Sequence, residues 1–79
     1  MAIGEAWWEQ LHECQGMLDD GEVVASRKRL RNLFDCLKAA SEPNVLDLLD
    51  DSDRAELHRL TRSFRLVWRR AQLCWLLLN

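Results

Sequence analysis

The chain has little of what interrupts or replaces a helix. Its 79 residues include one proline, three glycines and no tyrosine. Only six residues are β-branched (four Val, one Ile and one Thr), whereas fifteen are leucine. Because β-branched residues favour strands and leucine favours helices, this composition excludes a mainly β fold and predicts an all-α one. The length fits one domain, predicted to cover residues 1–79.

Long apolar runs are also missing. The most apolar segment, 71–78, is far shorter than the about 20 residues that span a bilayer, so we expect no transmembrane segment. The chain does not open with a basic stretch followed by an apolar one, so no secretory signal is expected. Cys14, Cys36 and Cys74 cannot all pair, and each falls on an apolar helical stripe. We therefore expect reduced, buried thiols in a cytoplasmic protein.

The residue patterns of catalysis and cofactor binding are absent as well. His12 and Cys14 are two positions apart and would diverge by about 200° on a helix, which prevents them from sharing a metal ion. The glycines are isolated, so they form no phosphate-binding loop. The acidic pairs at 19–20 and 50–51 precede predicted helices, where carboxylates favour the helix dipole. The sequence predicts no enzyme, no metal site and no cofactor.

Two amphipathic helices are predicted in the first half of the chain. The first has apolar residues every three or four positions, and Asp19-Asp20-Gly21 ends it; its stripe is Ile3, Trp7, Leu11, Cys14 and Leu18. The second covers about 22–40, and its predicted core face is Val23, Leu30, Leu33, Phe34, Leu37 and Ala40. The short connection makes these two helices antiparallel.

A connector and a long C-terminal helix follow. Pro43 stops the second helix, and residues 43–49 form either a short fourth helix or an irregular connector. Asp53 with Glu56 predicts a capping box at the start of the C-terminal helix. An unbroken seam then follows, formed by Leu57, Leu60, Phe64, Val67, Ala71, Cys74 and Leu78. The predicted fold is a small antiparallel three-helix bundle with a long last helix.

Charge is sorted into blocks along the chain. The net charge is −6 over residues 1–22, +4 over 23–41, −5 over 42–56 and +5 over 57–79. One explanation is internal, because an acidic first helix would pair with a basic second helix and fix the antiparallel arrangement. The other is functional, because the basic second and C-terminal helices could present one surface to an acidic partner. The two explanations are compatible.

The C-terminal helix has a second apolar row opposite its seam. Leu66, Leu73 and Leu77 share that outer face at about 100° per residue. From residue 73 onward the helix is apolar on all sides, which one small chain cannot bury. We predict a partner-binding surface formed by Arg62, Arg65, Leu66, Arg69, Arg70, Leu73 and Leu77.

The function predicted from these features is protein–protein interaction by a small regulator, inhibitor or chaperone-like adaptor. The expected partner has an acidic or mixed apolar-acidic surface, and a homodimer is also expected, since either could cover the apolar face. The alternative is a nucleic-acid-binding regulator that uses the basic helix faces, and surface binding to a membrane is a weaker one. In size and helix count the whole chain is similar to small helical chaperones of flagellar and type III export, and equally to small phage-encoded inhibitors. No motif carries either resemblance, so neither supplies site residues.

Overall fold

The computed structural model describes residues 4–78 as an all-α bundle of four helices, with no strand among these residues. The helices are α1 (Glu5–Asp19), α2 (Val23–Ala40), α3 (Pro43–Leu46) and α4 (Asp51–Leu78). Helices α1, α2 and α4 pack against one another, which confirms the predicted bundle and its long last helix. Ile3, the predicted start of the first stripe, lies outside the described residues.

A tight glycine turn joins α1 to α2. Gly21 has φ 83°, a backbone conformation that costs glycine little because it has no Cβ. Its N–H donates to the Leu18 carbonyl at 3.1 Å, and the Glu22 N–H donates to the Met17 carbonyl at 2.8 Å. These two bonds form a Schellman motif, which satisfies the last carbonyls of α1 and turns the chain back on itself.

The connector contains the short fourth helix that was one of its two predicted forms, but this helix ends earlier than residue 49. Helix α3 has only four residues and begins at Pro43, and the chain from 47 to 50 is irregular. The predicted capping box at Asp53 is wrong, because α4 begins earlier, at Asp51. Asp50 caps the helix instead: its Oδ1 accepts the Asp53 backbone N–H at 2.8 Å.

Helices α1 and α4 run parallel, while α2 is antiparallel to both. The Trp8 indole N–H near the start of α1 donates to Glu56 near the start of α4. At the other end, Arg70 forms an ion pair with Asp19. Hydrogen bonds from Arg59 and then from Trp8 to the Glu56 carboxylate lower the pKa of that carboxyl group.

The core lies between α1, α2 and α4. Its buried apolar residues are Leu11, Cys14, Leu18, Val23, Leu30, Leu33, Leu37, Ala40, Leu57, Leu60, Phe64, Val67 and Ala71. Ser26 is a fully buried polar residue, and its hydroxyl donates to the Cys14 carbonyl at 2.9 Å. A small side chain at this position lets α1 and α2 approach closely, and the bond removes the cost of burying the hydroxyl.

Three residues predicted to be buried are exposed: Phe34, Cys36 and, at the end of the α4 seam, Leu78. Phe34 follows Leu33 and is therefore turned about 100° away from the core, so its side chain is 50% exposed. Cys36 precedes the buried Leu37 and is turned away from the core by the same angle in the opposite direction, so it is exposed. Cys14 is buried as predicted, and Cys74 is half-buried.

The seam of α4 should dominate stability. Leu60 is completely buried, so Leu60→Ala should lower the free energy of unfolding by about 2–5 kcal/mol through lost apolar contact and a cavity. Leu66→Ala on the exposed face of the same helix is the matched control and should change it by less than about 0.5 kcal/mol. Urea unfolding followed by circular dichroism measures both. Equal losses in the two variants would contradict the orientation of α4.

The thiols should differ in reactivity. Burial raises the pKa of the Cys14 thiol, so this group should be both neutral and shielded. Cys36 should react rapidly with Ellman's reagent in native protein, Cys74 more slowly, and Cys14 only after denaturation. The Cys36→Ser variant identifies the fast phase. Persistence of the fast phase in that variant would contradict the assignment.

Candidate protein-interaction surfaces of the long helix

The outer face of α4 carries the predicted leucines in exposed positions. We call Leu66, Leu73 and Leu77 the leucine row; their side chains are 67%, 57% and 88% exposed. The opposite side of α4 faces α1 and α2 and supplies the buried seam. When the seam of α4 faces the core, the 100° step between successive residues places the leucine row on the opposite side, away from the bundle.

The last turn of α4 is apolar and largely uncovered: its three leucines at 76–78 are exposed, whereas Trp75 is half-buried against the core. Leu78 lies seven residues after the buried Ala71, on the side of the helix that faces the core, yet it is 64% exposed. The reason is the length of the hairpin: Asp19 at the end of α1 is already level with Arg70, and the chain turns back at Gly21. Leu76 is exposed as well, so α4 extends past the material that could cover it.

The four predicted arginines are all exposed but do not act as one cluster. Arg70 lies on the α1 side, where it pairs with Asp19, and this bond raises the pKa of its guanidinium. Arg65 and Arg69 lie on the α2 side and line a groove between α2 and α4. Arg62 forms no ion pair within residues 4–78. The leucine row therefore has the neutralised Arg70 on one side and three arginines without an ion pair in residues 4–78 on the other: Arg62, Arg65 and Arg69.

The groove between α2 and α4 was not predicted from the sequence. We call it the basic groove; it has a volume of about 650 Å³. Its wall on α2 is formed by Arg31, Phe34, Leu37, Lys38 and Ser41. Its wall on α4 is formed by Thr61, Phe64, Arg65, Trp68 and Arg69.

Stacked aromatic rings form the apolar floor of the basic groove. The ring centroids of Phe34 and Phe64 are 6.0 Å apart, and those of Phe64 and Trp68 are 6.3 Å apart. Beyond them, the Arg27 guanidinium carbon lies 5.8 Å from the Trp68 ring centroid and 4.4 Å from that of Trp75. The stack joins α2 to α4 and holds the two walls at a fixed distance.

The charged groups of the basic groove are all cations. The Ser41 hydroxyl donates to the Leu37 carbonyl at 2.8 Å, and the Thr61 hydroxyl to the Leu57 carbonyl at 2.9 Å, so both are used within their own helices. Four cations remain at the rim, and within residues 4–78 none of them forms an ion pair: Arg31, Lys38, Arg65 and Arg69. The groove offers a ligand apolar surface and positive charge.

The groove lining holds no acidic residue, histidine or cysteine. Across residues 4–78, no three His, Cys, Asp or Glu side chains lie close enough to hold a metal ion. In the same part of the chain, no helix combines the length and the apolar character needed to cross a membrane. The surfaces described here are suited to binding.

Comparison of the chain with protein-family models, curated proteins and solved structures found no match. The meaning of the two surfaces therefore rests on their geometry and charge. A signal for the basic groove is present in the sequence: Arg27, Arg31, Phe34 and Lys38 are spaced four, three and four apart, which is one face of a helix. Because Phe34 was predicted to lie in the core, this face of α2 was not predicted to be exposed.

The contact of Arg27 with two tryptophans should stabilise the bundle. Arg27 also donates through Nε to the Gln72 side chain at 3.0 Å, so it joins α2 to α4 in two ways. Arg27→Ala should lower the free energy of unfolding by about 1–2 kcal/mol through lost cation–π contact and packing. Arg31→Ala is the matched control on the same face and should cost less than about 0.5 kcal/mol. Urea unfolding measures both, and equal values would show that the ring contact contributes nothing.

Proposed function

We propose that this chain is a small non-enzymatic helical protein that acts through protein–protein interaction, as a regulator, inhibitor or chaperone-like adaptor that sequesters a partner in the cytoplasm. The proposed contact surface is the leucine row with Arg62, Arg65, Arg69 and Arg70. It joins the uncovered last turn of α4, so one continuous face combines apolar anchors with guanidinium groups.

The observation that carries this proposal is the exposure of leucine along α4. Scattered exposed leucines are ordinary, but here three recur on one face of one helix and meet an apolar end. Burial of this face against another molecule would remove its apolar surface from water. The flanking arginines suit the contact, because their stems pack against apolar surface while their guanidinium groups pair with carboxylates.

We expect the protein to form a homodimer when no other partner is present. The reason is that the leucine row of one chain can pack against the leucine row of a second chain. A twofold axis places the same patch of both chains in contact, so the assembly stops at two chains. Light scattering coupled to gel filtration over a range of micromolar concentrations measures the mass. A mass of 9.3 kDa at every concentration would exclude the dimer and assign the face to a different protein.

The test of the proposed surface is the double variant Leu73→Ser with Leu77→Ser. Both side chains are exposed, so the helical signal and the free energy of unfolding should change little. Self-association and the capture of proteins from a lysate of the native host should both be lost, as scored by scattering and by mass spectrometry. Leu48→Ser, at an exposed leucine of the connector, is the matched control and should behave as wild type. If the double variant retained both self-association and capture, the leucine row would have no part in binding.

A further inference from the structure

The basic groove carries an inference about the chemistry of a partner, and it rests on the proposed function of protein binding. We propose that the basic groove binds an acidic amphipathic helix of another protein. In that helix, a stripe of bulky apolar side chains enters the groove, and carboxylates on both flanks of the stripe pair with the cations of the two walls.

The shape of the site indicates a helix. Helices α2 and α4 are antiparallel and leave a furrow between them on the side away from α1, and a third helix can lie in such a furrow as helices do in bundles. From Arg31 to Ser41 the furrow runs about 15 Å along α2, which is the length of about ten helical residues. Apolar side chains spaced three or four apart on the incoming helix would point into it.

The placement of charge indicates acidic flanks. Arg31 and Lys38 stand on the α2 wall, and Arg65 and Arg69 stand on the α4 wall. Within residues 4–78 no acid forms an ion pair with any of these four cations; of the α1 acids, Glu13 pairs with Arg29, and Asp19 with Arg70 on the far side of α4. Asp35, the single acid of α2, does not line the groove. A ligand with carboxylates on only one side of its apolar stripe would leave one wall unpaired.

The ring stack argues against single-stranded nucleic acid as the ligand. Bases bind by stacking on free ring faces. Here Phe64 lies between Phe34 and Trp68, and Trp68 lies between Phe64 and the Arg27 guanidinium, so the inner rings are already stacked. Of these three rings, Phe34 is the one with an outer face on which a base could stack. The edge of Phe34 and the apolar floor of the groove suit the side chains of leucine or phenylalanine better.

A second copy of this chain is a poorer occupant. The exposed acids of α1 include Glu5 and Glu9, but the apolar stripe of α1 is directed into its own core. The outer face of α4 has leucines but carries arginines beside them, which would meet the groove with like charge. Neither of these helical surfaces combines apolar anchors with carboxylates. The connector does place the exposed Leu48 beside Asp47, but its helix α3 has only four residues and is too short to fill the furrow. An occupant from another protein therefore fits the groove better.

The experiment selects ligands from a random peptide library displayed on phage, using the folded, full-length protein as bait. Enriched peptides are synthesised with a fluorescent label and titrated by anisotropy. They should carry Asp or Glu on both flanks of apolar residues spaced three or four apart. Replacing their acids with lysine should abolish binding.

Two double variants with the same change of net charge test the site. Arg31→Gln with Lys38→Gln removes the cations of the α2 wall, which lie away from the leucine row, and should weaken binding about tenfold or more. Lys28→Gln with Arg29→Gln removes two exposed cations of α2 that do not line the groove, and the affinity should stay within about twofold of wild type, the effect of general screening. The variant with serine at 73 and 77 should bind these peptides as wild type does.

Several outcomes would overturn the assignment of the groove. They are the enrichment of no peptide, enrichment without an acidic bias, and binding that Arg31→Gln with Lys38→Gln leaves intact. If only Leu73→Ser with Leu77→Ser abolished peptide binding, the peptides would bind the leucine row and not the groove. This outcome separates the present inference from the proposed function.

A labelled 20-nucleotide oligothymidine is the parallel probe. If it bound more tightly than the peptides and was lost with the α2-wall variant, the groove would be a nucleic-acid site.

Discussion

The burial of the α4 seam by a shorter hairpin is the constraint on which the rest of the structure depends. Helix α4 has 28 residues, whereas α1 has 15 and α2 has 18. The hairpin covers α4 along one side and up to the level of its own turn. What it leaves open is the outer leucines, the last apolar turn and the furrow beside α2. The leucine row and the last turn are parts of α4 that the hairpin does not cover, and the basic groove is the furrow between α4 and the α2 edge of the hairpin.

The sorting of charge along the sequence has a three-dimensional counterpart in this arrangement. Helix α1 supplies the carboxylates of both interhelical ion pairs, one to α2 and one to α4. The four cations of the basic groove lie between α2 and α4, in a lining to which α1 contributes no residue. The charge blocks therefore have two consequences on different sides of the molecule. On the α1 side, charges pair within the bundle, and on the α2–α4 side, cations are left without an ion pair in residues 4–78. A chain with a net charge of only −2 acquires one distinctly basic flank, which can attract an acidic partner over roughly the Debye length of about 8–10 Å.

Periodicity predicted the main elements well because each helix buries a continuous stripe. Two stripes were sufficient to define the bundle: the seam of α4 from Leu57 to Ala71, and the apolar residues of α1, which recur every three or four positions. Periodicity failed at the edges of stripes, where a rotation of about 100° separates a buried residue from an exposed one, as at Phe34 and Cys36. It also misplaced the cap of α4, because several acids near residue 50 could each serve and only the backbone geometry selects Asp50.

The leucine row was predictable, because it lies on one helix and needs only the helical angle. The basic groove was not, because it depends on which side of α2 meets α4, and that is determined by packing in three dimensions. The contact of Arg27 with Trp68 and Trp75 joins residues more than forty positions apart. No local pattern specifies such a pairing, although the face that supplies it can be recognised on α2 alone.

The parallel placement of α1 and α4 determines the order in which contacts can close during folding. Helices α1 and α2 meet through a short glycine turn, so their pairing costs little loop entropy. The contacts between α1 and α4 join Trp8 to Glu56 and Asp19 to Arg70, which closes loops of about fifty residues. Loop entropy therefore favours the pairing of α1 with α2 before α1 meets α4, and the docking of α4 completes the core. Until that step the apolar seam and the leucine row are both open to water, so newly made chains are most vulnerable to aggregation before the last helix has docked.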